Sequence, residues 1–157
     1  MSLKQSAGLL LYRRAGNNGD VEVLLAHPGG PFWQTRHEGA WTIPKGEIAD
    51  GEEPLAAARR EFQEEMGSLP AGDPARLDPV KQPGGKVVHA FAMRSDFDVE
   101  ELKSNTFTIE WPPRSGRFGS FPEVDRAAWF AIEDARRKIL KGQSPFLSQL
   151  EELLEVS

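Results

Sequence analysis

Cysteine is absent from the 157 residues. Its absence excludes disulfide frameworks, thiolate metal sites and cysteine nucleophiles, and it suits a chain working in the reducing cytoplasm. Long apolar runs are missing too. No stretch reaches the roughly 20 apolar residues that span a bilayer, and the N-terminal Met-Ser-Leu-Lys-Gln-Ser has no signal-type core. Lys/Arg-rich blocks are also lacking and the formal net charge is −5, so the cationic footprint expected of a nucleic-acid-polymer binder is not there. A small anion stays within reach, because a few local cations or a bound metal reverse the field inside one cleft. Repeats and low-complexity tracts are absent as well. With 39% apolar and 27% charged residues, the chain is expected to fold as a single domain over residues 1–157.

Apolar runs at Ala7 to Tyr12 and Val21 to Ala26, separated by turn chemistry, predict two neighbouring strands. His27 to Gly39, rich in Gly, Pro and polar residues, reads as a surface loop. Trp41-Thr42-Ile43 predicts a short strand ended by Pro44, and Gly46 to Gly51 a connection. Lys86 to Met93, Asn105 to Trp111 and Ala127 to Phe130 predict further strands, and Leu77 to Gln82 a weaker one. Ile132 to Leu140 and Pro145 to Leu154 predict helices, the second capped by Ser144. The expected class is mixed α/β, or α+β, with strands flanked by helices.

The strongest helix signal runs from Pro54, suited to a first turn, to Met66, with Gly67 suited to the position beyond the end. Leu55, Ala58, Phe62 and Met66 recur at helical spacing and predict a buried stripe. At about 100° per residue, Glu61, Glu64 and Glu65 share one face, expected opposite that stripe and facing solvent. Like charges at these spacings repel, and Glu64 and Glu65 lie where the helix dipole disfavours anions. A hard divalent cation, Mg²⁺ or Mn²⁺, is the economical compensation, because it takes oxygen ligands and bridges to phosphates.

Gly46-Glu47-Ile48-Ala49-Asp50-Gly51-Glu52 through Arg60-Glu61-Phe62-Gln63-Glu64-Glu65-Met66-Gly67 resembles the box of the Nudix hydrolase family. Gly46, Glu52, Arg60, Glu61, Phe62, Glu64, Glu65 and Gly67 all stand in register with it. Ser68 replaces the usual aliphatic residue, a packing role that Leu69 can fill. Trp41-Thr42-Ile43-Pro44-Lys45-Gly46 is similar to the segment preceding the box in diadenosine polyphosphate hydrolases and bacterial NTP pyrophosphohydrolases. The resemblance implies an α/β/α sandwich around a mixed sheet. It implies Mg²⁺-dependent hydrolysis of a phosphoanhydride bond in a nucleotide, with dinucleoside polyphosphates or nucleoside triphosphates first. The alternative is a catalytically silent Nudix-like domain that only binds or senses nucleotides.

By the same resemblance Glu61, Glu64 and Glu65, with a backbone carbonyl near Lys45 or Gly46, hold the metal. Arg60 orients a catalytic glutamate and pairs with Glu52. The general base falls to Glu64 or Glu61, or to a later loop where Glu110 and Glu123 stand. Lys45 and Arg36, with His27 and His37 flanking the same loop, are placed to meet phosphates, and Arg114 and Arg117 are further cations. Trp33, Trp41, Phe118 and Phe121 are the aromatics available to stack on a base, Trp41 and Phe121 being carried as substrate-binding residues. His89 reads as a structural histidine, and Trp129 and Phe130 as core.

Overall fold

The computed structural model describes residues 4–15 and 19–156. Among the described residues nine strands and three α-helices follow one another: β1 (Gln5–Ala15), β2 (Asp20–Pro28), β3 (Lys45–Glu47), α1 (Pro54–Met66), β4 (Pro74–Arg76), β5 (Val80–Lys81), β6 (Val87–Arg94), β7 (Thr106–Glu110), β8 (Phe118–Pro122), β9 (Val124–Ala131), α2 (Ile132–Lys138) and α3 (Ser144–Val156). The main sheet runs β4-β6-β1-β2-β9, with β3 on β1 and β5 on β6. It is mixed: β1 and β6 are parallel and β1 pairs antiparallel with β2. β7 and β8 form a separate antiparallel hairpin.

Alternation along the central strands divides the core between the two faces of the sheet. Ala7, Leu9 and Leu11 of β1, with Leu24 and Ala26 of β2, pack with Ala57, Ala58, Phe62 and Met66 of α1. Leu10, Val23 and Leu25 point the other way, onto Ala135 of α2 and Phe146, Leu147 and Leu150 of α3. Strand period two and helix period 3.6 therefore meet on both sides, giving helices on each face of a mixed sheet. None of the described helices is long and apolar enough to cross a membrane.

The site is opened by a wedge between β1 and β2. β1 pairs with β2 through Tyr12 to Ala15 and with β3 through Ser6 to Gly8, while Thr42 bridges to Ala26. The segment from Thr42 to Glu47 thus enters the sheet and carries Lys45 and Gly46 to its edge. Gly8 permits this entry, since a Cβ there would stand 2.5 Å from the Pro44 carbonyl oxygen.

Several expectations are corrected. Trp41 to Ile43 makes only isolated bridges, and the ladder begins at Lys45 and runs into the expected Gly46 to Gly51 connection, because β1 offers a free edge there. The weak strand at Leu77 to Gln82 is reduced to Val80–Lys81, with Pro74–Arg76 before it. Phe118–Pro122 forms a strand that composition did not reveal. Ser144 has helical dihedrals (φ −53, ψ −35) and lies inside α3 rather than capping it. Residues 16–18 of the first turn lie outside the described residues.

Candidate active site

α1 begins with a proline in its first turn and ends at Gly67, whose left-handed φ of 94° lets its N–H close on the Gln63 carbonyl. Helical phase then sets the acidic residues. Ala57, Ala58, Phe62 and Met66 are buried, whereas Arg59, Ala56 and Gln63 form the exposed face. Glu61, Glu64 and Glu65 are all partly buried, on the flank between these faces and not opposite the stripe as expected. The reason is angular: Glu65 lies only about 20° from Ala58 around the helix axis. The acidic flank faces the wedge at Lys45 and Gly46, not open solvent.

Arg60 organises this flank. Its Nε and Nη2 donate to the two oxygens of Glu52 at 2.8 and 2.9 Å, and Nη2 also reaches the Glu47 carbonyl at 3.0 Å. Nη1 donates to Glu61 at 2.8 Å and to Glu64 at 3.3 Å. Glu52 accepts a further bond from the Ala49 N–H at 3.0 Å. The Arg60 hydrogen bonds and then the Ala49 N–H hold the Glu52 carboxyl down at about 2. A bidentate fork of this kind fixes orientation as well as charge.

Loss of solvent dominates at the other carboxyls. Burial, and then the Glu61 charge, push Glu65 up to about 8, against the pull of the Lys45 N–H and ammonium. The Lys45 N–H donates to Glu65 at 3.3 Å. Burial raises Glu61 as well, opposed by Arg60. Burial followed by the charge of Lys86 lowers Lys45. Glu123, at the foot of the β7–β8 hairpin, is raised by desolvation and by the charges of Glu61 and Glu64. Asn105 at the other foot donates its N–H to the Glu64 carbonyl at 2.9 Å. Glu61, Glu64, Glu65 and Glu123 thus share one field.

A divalent cation fits these residues chemically. The donors are hard oxygens, Glu65 is partly buried and makes no ion pair among the described residues, and Glu61 lies flush on Gly46, where a Cβ would stand 2.0 Å from the carboxyl carbon. Among the described residues no three acidic or histidine side chains already converge at ligating spacing; the Arg60 guanidinium lies between Glu61 and Glu64 and gathers them instead. The same contact yields a prediction. Gly46→Ala should displace the Glu61 carboxylate and lower turnover by about 100-fold, roughly 3 kcal/mol, with helix content unchanged by circular dichroism. Parental turnover would show that Glu61 need not stand against residue 46.

The remaining expected site residues separate. Lys45 faces the acidic flank. Arg36 is exposed, its guanidinium 5.7 Å from the Trp33 ring. Phe121 packs on Phe107 at 6.1 Å within the hairpin, and Phe118 is 70% exposed. Trp41, expected to stack on a base, is only 5% exposed, with its ring against His27 and Phe130, so its face is taken up by the core. His27 is fully buried and cannot meet a phosphate. Glu110 accepts the Arg114 N–H at the hairpin turn, at 2.8 Å. His89 bonds Gln5 at 2.7 Å, as a structural histidine should. Trp129 and Phe130 are partly buried against opposite faces of the core. The Glu47 carbonyl and Asn105 were missed, because backbone contacts of this kind leave no side-chain signature.

A family model described as a NUDIX domain matches residues 3–150. An RNA pyrophosphohydrolase of Francisella tularensis is 45% identical over 49 residues, 31% of this chain and 32% of that protein. Nudix hydrolase 25 of Arabidopsis thaliana is 58% identical over 33 residues, 21% of this chain and 19% of that protein. The chain therefore matches at most about a third of the length of these curated relatives. Among solved structures, a C. elegans Ap4A hydrolase binary complex superimposes with a TM-score of 0.68 at 23% identity, covering 99% of this chain and 100% of that one. The NUDIX domain of Shewanella oneidensis NrtR, complexed with ADP ribose, gives 0.67 at 16% identity, covering 98% and 90%. These likenesses concern the fold.

Proposed function

Since this chain belongs to the Nudix family, we propose that it hydrolyses a phosphoanhydride bond in a small nucleotide, a dinucleoside polyphosphate or a nucleoside triphosphate, in the cytoplasm. The observation that carries the reading is the acidic flank of α1. Glu65 is partly buried and pushed up to about 8 by loss of solvent, while Glu61 is pinned between Gly46 and Arg60. Carboxyls that have lost solvent and stand side by side are compensated by a hard divalent cation, which takes oxygen ligands. The relatives' printed names, an Ap4A hydrolase and an RNA pyrophosphohydrolase, support the class of bond.

In this reading Glu61, Glu64 and Glu65, with the main-chain oxygen of Gly46, hold Mg²⁺, or Mn²⁺ in its place. When bound, the ion lowers the pKa of water and neutralises phosphate charge. Glu52 keeps Arg60 in one orientation, and Arg60 keeps Glu61 and Glu64 together. Glu64 is the residue to take the water proton: its side chain is 39% exposed against 14% for Glu61, and Arg60 holds it at the longer distance. Glu123 is a second acid in the same field, whereas Glu110 is engaged at the hairpin turn. Lys45 meets a phosphate from the wedge and Arg36 a more distal one. Phe121 offers its ring from the hairpin.

A panel of dinucleoside polyphosphates, nucleoside triphosphates, ADP-ribose and a 5′-triphosphorylated oligoribonucleotide, with and without Mg²⁺, tests the proposal. Expected is Mg²⁺-dependent cleavage of a small nucleotide, identified by its products. Cleavage of the oligoribonucleotide alone would move the substrate to RNA ends. Saturable nucleotide binding without cleavage would establish the silent-domain alternative.

A further inference from the structure

His27 ends the regular part of β2, and its ring has no exposure. Both ring nitrogens meet acceptors: Nδ1 lies 2.7 Å from Asp125 Oδ1, and Nε2 lies 2.6 Å from the Arg36 carbonyl oxygen. A carbonyl only accepts, and so does an ionised carboxylate. The ring therefore stands between two acceptors, one from β9 and one from the loop.

The strand pairing shows how Asp125 reaches this ring. His27 pairs with Arg126 and Pro28 with Val124, leaving Asp125 as the additional residue of a bulge. Bulges re-aim side chains and end regular pairing. Beyond it the Gly29 N–H donates to the Glu123 carbonyl at 2.9 Å. A Cβ at Gly29 would stand 1.9 Å from the Pro122 oxygen, and one at Gly30 would stand 2.9 Å from the Phe107 ring. Phe32 lies edge-on to Trp111 at 4.9 Å. The loop from Gly29 to Arg36 is thus laid against the hairpin whose foot carries Glu123. His27 holds the start of this loop through the chain and its end through the Arg36 carbonyl. The titratable and charged groups around the ring are Asp125 and Arg126 of β9 and His37 of the loop. His37 stacks on His27 at 5.5 Å and receives the Arg126 guanidinium at 3.2 Å.

We propose that His27 is a positioning residue whose two ring nitrogens tie the loop bearing Arg36 to the bulge at Asp125 and so set the substrate-binding wall beside Glu123. The kinetic arm of the test rests on the hydrolase reading; the spectroscopic arm does not. In the full chain, ¹⁵N-resolved NMR of the histidine side chains should show a ring N–H of His27 strongly protected from solvent exchange. A ring N–H that exchanges as fast as that of a surface histidine overturns the tie. His27→Gln retains one donor and removes the second ring contact. On the substrate found by the panel, KM should rise about tenfold or more while kcat falls by less than about threefold, because the loop moves and the α1 carboxylates do not. Unchanged KM, or a loss confined to kcat, overturns the positioning role. If the variant does not fold, the NMR of the parent decides. If no nucleotide is cleaved, the hydrolase reading fails while the NMR result stands by itself.

Discussion

Glu65→Gln is expected to lower kcat by on the order of 10³, about 4 kcal/mol of transition-state stabilisation, while the protein stays folded. The amide keeps the shape of the carboxylate and its acceptor for the Lys45 N–H, but it cannot carry the charge that draws a cation to the flank. Turnover within about threefold of the parent at modest Mg²⁺ would remove Glu65 from the site. The same substitution should change how stability depends on pH. In protein stripped with a chelator, burial and the Glu61 charge set the folded carboxyl at about 8 against its ordinary value of 4.5. Below 4.5 both folded and unfolded chains hold the proton and no penalty arises. Between 4.5 and 8 the folded chain keeps a proton that the unfolded chain has released, so stability falls as pH rises, on the order of a few kcal/mol in all. Glu52 acts oppositely and in another window: its carboxyl, held at about 2, supports the fold at neutral pH and loses that effect in acid. Denaturation of chelated parent and Glu65→Gln near pH 5 and near pH 9 separates the two. The parent should weaken towards the higher pH and the variant much less.

Phe62→Ala should destabilise the chain by about 3 to 5 kcal/mol through the cavity it leaves. The ring has no exposed surface. It stands edge-on to Phe97 at 5.8 Å and packs with Leu9, Leu11 and Leu24 beneath α1. At roughly 2 to 4 °C per kcal/mol for a chain of this size, the midpoint of thermal unfolding should drop by about 10 °C. A loss under about 1 kcal/mol would mean that α1 does not dock through this residue. The effect matters beyond stability, because Phe62 sits between Glu61 and Glu64 in sequence. The contact that seats the helix also sets the height of its carboxylates over the wedge.

Much of this was legible before any coordinates. Pro54 and Gly67 bracket α1 as expected, because both act through their own backbone geometry. Glu52 and Arg60 meet across the turn as the motif implied, since eight residues of loop and helix leave a bidentate fork one compact geometry. What failed was phase and depth. Glu65 was expected to face solvent, yet its side chain faces the β3 wedge, an element that exists only because β1 and β2 splay apart. Trp41 had the composition of a stacking residue, and its burial depends on Phe130 and His27 arriving from distant segments. β8 was invisible because its Gly-Ser-rich pattern gains strand character only by pairing with β7.

The sequence by itself determined the period of each long element, the ends of α1, and the set of carboxylates that one helix can present; these are local properties, written within a few turns of chain. Only the tertiary structure decided which of those carboxylates lose water, that Glu123 joins their field while Glu110 does not, and that His27 is closed between Asp125 and Arg36. Desolvation and two-sided hydrogen bonding depend on what packs from elsewhere in the chain. No spacing in the sequence records how far apart residues 27 and 125 stand in space.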